Sequence, residues 1–180
     1  MKNLKLFIVF LIVLGFNTSY AQLQKGNLLI GGGASFNLQF NDGTDNSFSF
    51  ALSPNVLGLV TDNIAVGGSI GLSYSKFASV SNTSISFQPK GRIYFPSNEH
   101  MAFYFDAGIG LQFLNLDING GTDSETALVY SFGPGIAYFI SEDVSIDTGL
   151  AFNRLGGFYD QSFINLRVGI QVFLNRQKEE

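Results

Sequence analysis

The sequence predicts an all-β fold: eight antiparallel strands wound up and down into one closed, membrane-spanning barrel, behind a short N-terminal export segment. Three observations carry the prediction. Apolar and polar residues alternate with period two through eight segments of about 11 to 15 residues. The connections between these segments are alternately short and long. Charged residues make up only 13 % of the chain, about half the usual globular share of roughly 25 %, while Phe numbers 19 and Gly 21. A water-soluble domain of this size would coat itself with Lys and Glu.

The export segment comes first. Lys2 and Lys5 supply a positive start, and Leu6 to Phe16 is an apolar run of about eleven residues, the length of a signal-peptide h-region. A membrane-crossing helix needs roughly 20. Asn17 to Ala21 is polar, and Ser19 with Ala21 makes a small-x-small pattern, so cleavage is expected after Ala21. No Cys follows, which excludes a lipoprotein signal. Residues 1–21 are therefore expected to be signal peptide, 22–174 the barrel and 175–180 a polar periplasmic tail. The full chain has 10 basic and 14 acidic residues; without Lys2 and Lys5 the balance is 8 against 14, a net charge of −6. No clustered basic face points to a nucleic-acid partner, and without Cys there are neither disulfides nor thiolate metal sites.

The strands can be taken in order. The first sends Leu28, Ile30, Ala34, Phe36 and Leu38 to one face, the second Phe48, Phe50, Leu52, Pro54 and Val56. The third sends Ile64, Val66, Ile70, Leu72 and Tyr74, the fourth Ile85, Phe87, Pro89, Ile93 and Phe95. In the fifth, Met101, Phe103, Phe105, Ala107, Ile109, Leu111 and Phe113 oppose Ala102, Tyr104, Asp106, Gly108, Gly110 and Gln112. The sixth runs Leu128, Tyr130, Phe132, Pro134, Ile136, Tyr138 and Ile140; the seventh Val144, Ile146, Thr148, Leu150 and Phe152. The eighth sets Ile164, Leu166, Val168, Ile170, Val172 and Leu174 against Asn165, Arg167, Gly169 and Gln171. Each segment is long enough for a tilted strand to cross a bilayer, which takes roughly 9 to 11 residues.

Thr61–Asn63, Pro96–His100 and Ser141–Asp143 read as tight turns. Phe40–Asn46, Ala78–Thr83, Asp117–Thr126 and Leu155–Gln161 read as longer polar loops. That alternation matches short periplasmic turns and longer external loops, and the even strand count places both termini in the periplasm. Pro54, Pro89 and Pro134 each precede a short turn by eight residues, and each turn leads into a strand with glycines in its middle. The units are hairpins at a spacing of about 35 to 45 residues. A shared bulge or bend is expected at the three prolines.

Alternation alone does not say which face meets lipid. A lipocalin-type barrel is apolar inside and polar outside. Here the polar face is mostly Ser, Gly, Ala, Asn and Gln, which suits a cramped interior, and the apolar face carries no charge over eight strands. Its aromatics gather near strand ends: Phe40, Phe48, Tyr74, Phe87, Phe113, Tyr130 and Phe152 toward the long loops, Phe95, Phe103 and Tyr138 toward the turns. Two aromatic girdles around an apolar band are the pattern of a membrane barrel, whose sheet must close because lipid cannot satisfy a free edge. The lumen then holds Lys90, Arg92, Asp106, Asp147 and Arg167. Buried charges should be paired. Counting from a turn near Asn98 puts Lys90 opposite Asp106 and Arg92 opposite Tyr104, and counting from a loop near Phe158 puts Asp147 diagonal to Arg167. These five residues either form a packed polar plug or line a narrow constriction.

Nothing in the chain reads as a catalytic centre. The lone His, His100, falls in a turn rather than where a serine-histidine pair would meet lipid. Asp42, Asp45, Asp117, Asp123 and Glu125 are expected in external loops, at spacings that match no calcium loop. Gly31, Gly32 and Gly33 precede no helix and so are not a phosphate cradle; they are expected to let strand backbones approach closely.

With the export segment, the eight strands, the proline-to-turn repeat and the glycine-rich strands, the chain resembles the outer-membrane protein β-barrel domain superfamily, and its small eight-stranded members most. The resemblance covers Gln22 to Leu174. One departure is that such proteins often end on an outward aromatic, whereas here Leu174 is the last outward residue and Phe173 is expected inward. The resemblance implies a monomeric protein of the Gram-negative outer membrane. Outer-membrane lipid, periplasmic chaperones and the barrel assembly machinery are its expected partners, and no cofactor is expected. A structural or interaction role in the envelope without catalysis is the expectation. A narrow channel for small or apolar solutes is the alternative, followed by an adhesin, which would need longer external loops.

Overall fold

A computed structural model describes residues 23–39, 47–77, 80–98, 100–118, 121–156 and 160–174, and every regular element among them is a strand. The expected signal peptide and its cleavage at Ala21, the tail 175–180, and Phe40, Asp42, Asp45 and Phe158 lie outside the described residues. The strands are β1 (Leu28–Gln39), β2 (Ser47–Leu59), β3 (Ile64–Phe77), β4 (Val80–Asn98), β5 (Met101–Ile118), β6 (Gly121–Phe139), β7 (Val144–Gly156) and β8 (Gln161–Leu174). Each pairs antiparallel with its neighbour in sequence, and β1 pairs with β8 to close the barrel.

The expected faces hold on every strand. Ile30, Leu52, Val66, Phe87, Phe105, Ile136, Leu150 and Leu166 are among the large apolar side chains exposed around the outside, while Leu29, Leu57, Tyr94, Tyr104, Ser145 and Gln171 are buried within. Large apolar surface exposed all round is stable only in lipid. On β5 the outward apolar run spans Phe103 to Phe113. Ten steps of about 3.3 Å, tilted by about 40°, make a band roughly 25 Å tall, the height of a membrane barrel's apolar belt. Some aromatics gather as expected: Phe48 meets Phe36 at 5.2 Å and Tyr74 at 6.5 Å between ring centroids. Others form a diagonal row, with Phe132 lying 6.5 Å from Phe105 and 5.0 Å from Phe152.

Two expectations are corrected. Two of the expected long loops are largely strand. The β3–β4 ladder continues to Phe77↔Val80 and the β5–β6 ladder to Ile118↔Gly121, so Asp117, Asp123 and Glu125 sit in paired strands. Above the belt, outward positions become polar, as at Thr83, Asn115 and Ser124. Polar side chains are as compatible with a ladder as apolar ones, so the wall rises into water without breaking its hydrogen bonds.

The prolines produce no bulge. On either side of Pro54 the β2–β3 register is unchanged (Leu52↔Leu72, Asn55↔Ser69), and the same holds around Pro89 and Pro134. Proline removes one N–H from a ladder without adding a residue, so pairing lapses locally and then resumes in step. The bulge lies instead between Pro96 and Asn98, next to the β4–β5 turn. Gly31 fits the expected close approach: a Cβ there would fall within 3 Å of the Ile170 carbonyl oxygen on β8.

Candidate functional site: a sealed floor beneath an open vestibule

The lumen divides by side-chain size. At the turn end the inward positions carry Tyr, Phe, Leu and Arg; at the other end they carry mostly Ser, Gly, Ala and Asn. An eight-stranded barrel is just wide enough for large side chains to fill, so the first half is solid and the second is hollow.

The five expected interior charges all reach the lumen, and they converge. Arg92 Nε donates to Asp106 Oδ1 at 2.7 Å and Nη2 to Asp106 Oδ2 at 3.2 Å. Its Nη1 donates to Tyr94 Oη at 3.0 Å and to an Asp147 carboxylate oxygen. The guanidinium also lies 3.8 Å from the centroid of the Tyr104 ring, a cation–π contact. Gly135 makes room for that ring, because a Cβ there would overlap it. Lys90 Nζ sits 2.8 Å and Arg167 Nη2 3.3 Å from Asp106 Oδ2. Ser145 Oγ donates to Asp147 Oδ1 at 2.7 Å. One carboxylate thus serves three cations, and Arg92 joins two carboxylates contributed by β5 and β7.

The pairing differs in detail from the expected one. Arg92 stands opposite Asp106, Lys90 opposite Gly108 and Tyr94 opposite Tyr104. The bulge between Pro96 and Asn98 and the turn after it move the register by two residues. An even shift leaves every face unchanged, so Lys90 still reaches Asp106 from a diagonal position. Asp147 is diagonal to Arg167 (Gly149↔Arg167, Asp147↔Gly169), as expected. Its carboxylate binds Arg92 across the lumen instead, and Arg167 turns to Asp106. In so narrow a barrel, side chains on distant strands meet as easily as diagonal neighbours.

Beneath the charges lies an apolar stopper of Leu23, Leu29, Leu57, Leu59, Tyr94, Phe139 and Phe173. Phe173 is inward and buried, as expected, 5.4 Å from the Phe139 ring and 6.5 Å from the Tyr94 ring. Leu23 belongs to the segment before β1, tied to the barrel by Gly26 N–H donating to the Leu59 carbonyl at 2.8 Å. Sequence reasoning placed Tyr104 on the inner face but gave neither it nor Tyr94 a role. Their parity with Arg92 and Asp106 was the available signal.

Above Lys90 and Arg167 the lumen opens into a vestibule of about 870 Å³. One wall is hydroxylated: Ser73 and Ser84 share a 2.6 Å hydrogen bond, and Gln112 Nε2 donates to Ser84 Oγ at 2.7 Å. Next to it, beginning at Leu114 opposite Ser84 in the β4–β5 ladder, the wall is apolar, built from Leu114, Val129 and Leu155 with Ala127. This patch went unread in the sequence, although Leu114 and Leu116 continue the inward parity of β5 beyond Phe113. His100 is exposed in the β4–β5 turn, where its N–H donates to Asn98 Oδ1 at 3.0 Å.

A closed eight-stranded wall, a membrane-height apolar belt and a polar lumen coincide with a family match. The model of the outer membrane protein beta-barrel domain matches residues 7–171. The chain belongs to this family. As an outer membrane β-barrel it resembles several solved structures. Neisserial surface protein A is 17 % identical with a TM-score of 0.60, covering 82 % of this chain and 97 % of that one. The N-terminal β-barrel domain of Pseudomonas aeruginosa OprF is 12 % identical with a TM-score of 0.56, covering 83 % and 98 %. Ail, the attachment invasion locus protein of Yersinia pestis, is 15 % identical with a TM-score of 0.55, covering 84 % and 100 %. At these identities the likeness is one of fold. No curated protein matches the chain. The family places this β-barrel in the outer membrane.

Proposed function

We propose that this outer membrane β-barrel is a non-catalytic envelope protein, monomeric and without a through-going pore, whose wall reinforces the membrane and whose vestibule end meets the surroundings. The observation that carries the reading is the doubly sealed floor. The Arg92–Asp106–Asp147 cluster spans the lumen, and the Leu29, Leu57, Phe139 and Phe173 layer lies directly below it. A permeating solute would have to part a hydrogen-bonded ion network and then a packed apolar layer. Both termini face the periplasm in this reading, so the vestibule opens outward, and chaperones and the assembly machinery act only in biogenesis. The paired β1–β8 seam leaves no strand edge to recruit a second copy.

Planar-bilayer conductance of the refolded barrel tests the seal, once unheated and boiled samples migrate differently in detergent gels. No discrete steps are expected. Reproducible steps that change with Asp106→Ala would replace the sealed reading with the channel for small or apolar solutes.

A further inference from the structure

The vestibule has an electrical bias that its sealing role does not require. Its described lining includes two charged side chains, Lys90 and Arg167, and no carboxylate. The carboxylates that neutralise them lie below, in the floor, where three cations (Lys90, Arg92, Arg167) face two anions (Asp106, Asp147). The cluster is therefore one negative charge short. The Lys90 side chain is only 8 % exposed and Arg167 20 %. Arg167 holds Asp106 by a single 3.3 Å contact, and its Nε is buried without a hydrogen-bond partner among the described residues. A part-buried, under-paired guanidinium at the base of a cavity favours an anion beside it.

The walls narrow the choice of anion. Leu114, Val129 and Leu155, with Phe163 at the rim, offer an apolar surface, and the adjoining serine wall offers hydroxyls. A volume of about 870 Å³ is ample for a small organic molecule.

We propose that the vestibule binds a small amphipathic organic monoanion. Its carboxylate lies against Arg167 and Lys90, and its apolar body points up the vestibule toward Val129 and Phe163. Arg167 offers its Nη groups to the carboxylate, a charge-assisted contact. This goes beyond the sealed-barrel reading, and its readout does not depend on conductance.

Benzoate is the probe, titrated into the full barrel in lipid nanodiscs while the arginine Nε–H resonances are followed by NMR. Benzyl alcohol and benzylammonium are the neutral and cationic counterparts. Benzoate is expected to shift the Arg167 signal saturably, with benzyl alcohol at least about tenfold weaker because it forfeits the charge-assisted bonds. Benzylammonium should leave the signal unmoved. Arg167→Gln should weaken benzoate by about tenfold, read on the remaining side-chain signals. Asp106 keeps Lys90 and Arg92 in that variant, so the floor stays paired. Absence of a saturable shift, equal binding of benzoate and benzyl alcohol, or affinity untouched by Arg167→Gln would each overturn the proposal. The first two need only the native chain, so they decide even if the variant does not fold.

Discussion

The two halves of this lumen share one wall and one pattern of alternation, yet they do opposite things. Toward the turns, Arg92, Asp106, Asp147, Tyr94 and Tyr104 exchange hydrogen bonds and ring contacts around a common centre, with Phe173 and Phe139 packed beneath. Toward the rising β4–β6 wall, serines line a vestibule of about 870 Å³. The difference teaches that closure fixes the width of a barrel, whereas side-chain volume decides whether it is solid. Eight strands enclose a space that large side chains fill and small ones leave open.

Stability should divide along the same line. Asp106→Ala is expected to have the largest effect. It leaves Lys90 and Arg167 without their one carboxylate and Arg92 with Asp147 alone. Removing one partner from a buried ion network costs about 3–5 kcal/mol. Urea unfolding of the barrel in lipid vesicles measures it, and an unchanged midpoint would mean the floor does not hold the barrel together. Leu114→Ala at the vestibule wall should cost about 2 kcal/mol, at the low end for a buried leucine, because the lost contacts border an existing cavity. A loss matching that of Asp106→Ala would erase the distinction between the halves. Ser84→Ala should cost least, about 1 kcal/mol or less. It gives up hydrogen bonds to Ser73 and Gln112 that water in the vestibule can replace. A larger loss would mean that the serine wall is as tightly packed as the floor.

Some of this was legible in advance because it is local. Facing follows from a period of two, so Phe103, Phe105 and Ile109 out and Tyr104, Asp106 and Gln112 in required only consecutive residues. The inward turn of Phe173 followed in the same way. The strand ends were less legible. Asp117 and Asp123 have loop-like character, yet the ladder carries them because a partner strand is already in register.

The sequence by itself determined the eight strands, their faces, the lipid-facing belt and the five charges that enter the lumen, since each depends on neighbours along the chain. Only the tertiary structure decided which charge meets which. The β4–β5 turn and the bulge between Pro96 and Asn98 together set Arg92 opposite Asp106, and closure brought Asp147 within reach of Arg92 and Arg167 within reach of Asp106. It also decided that the lumen is half floor and half vestibule. That outcome depends on the summed volume of side chains from all eight strands, and no single segment carries it.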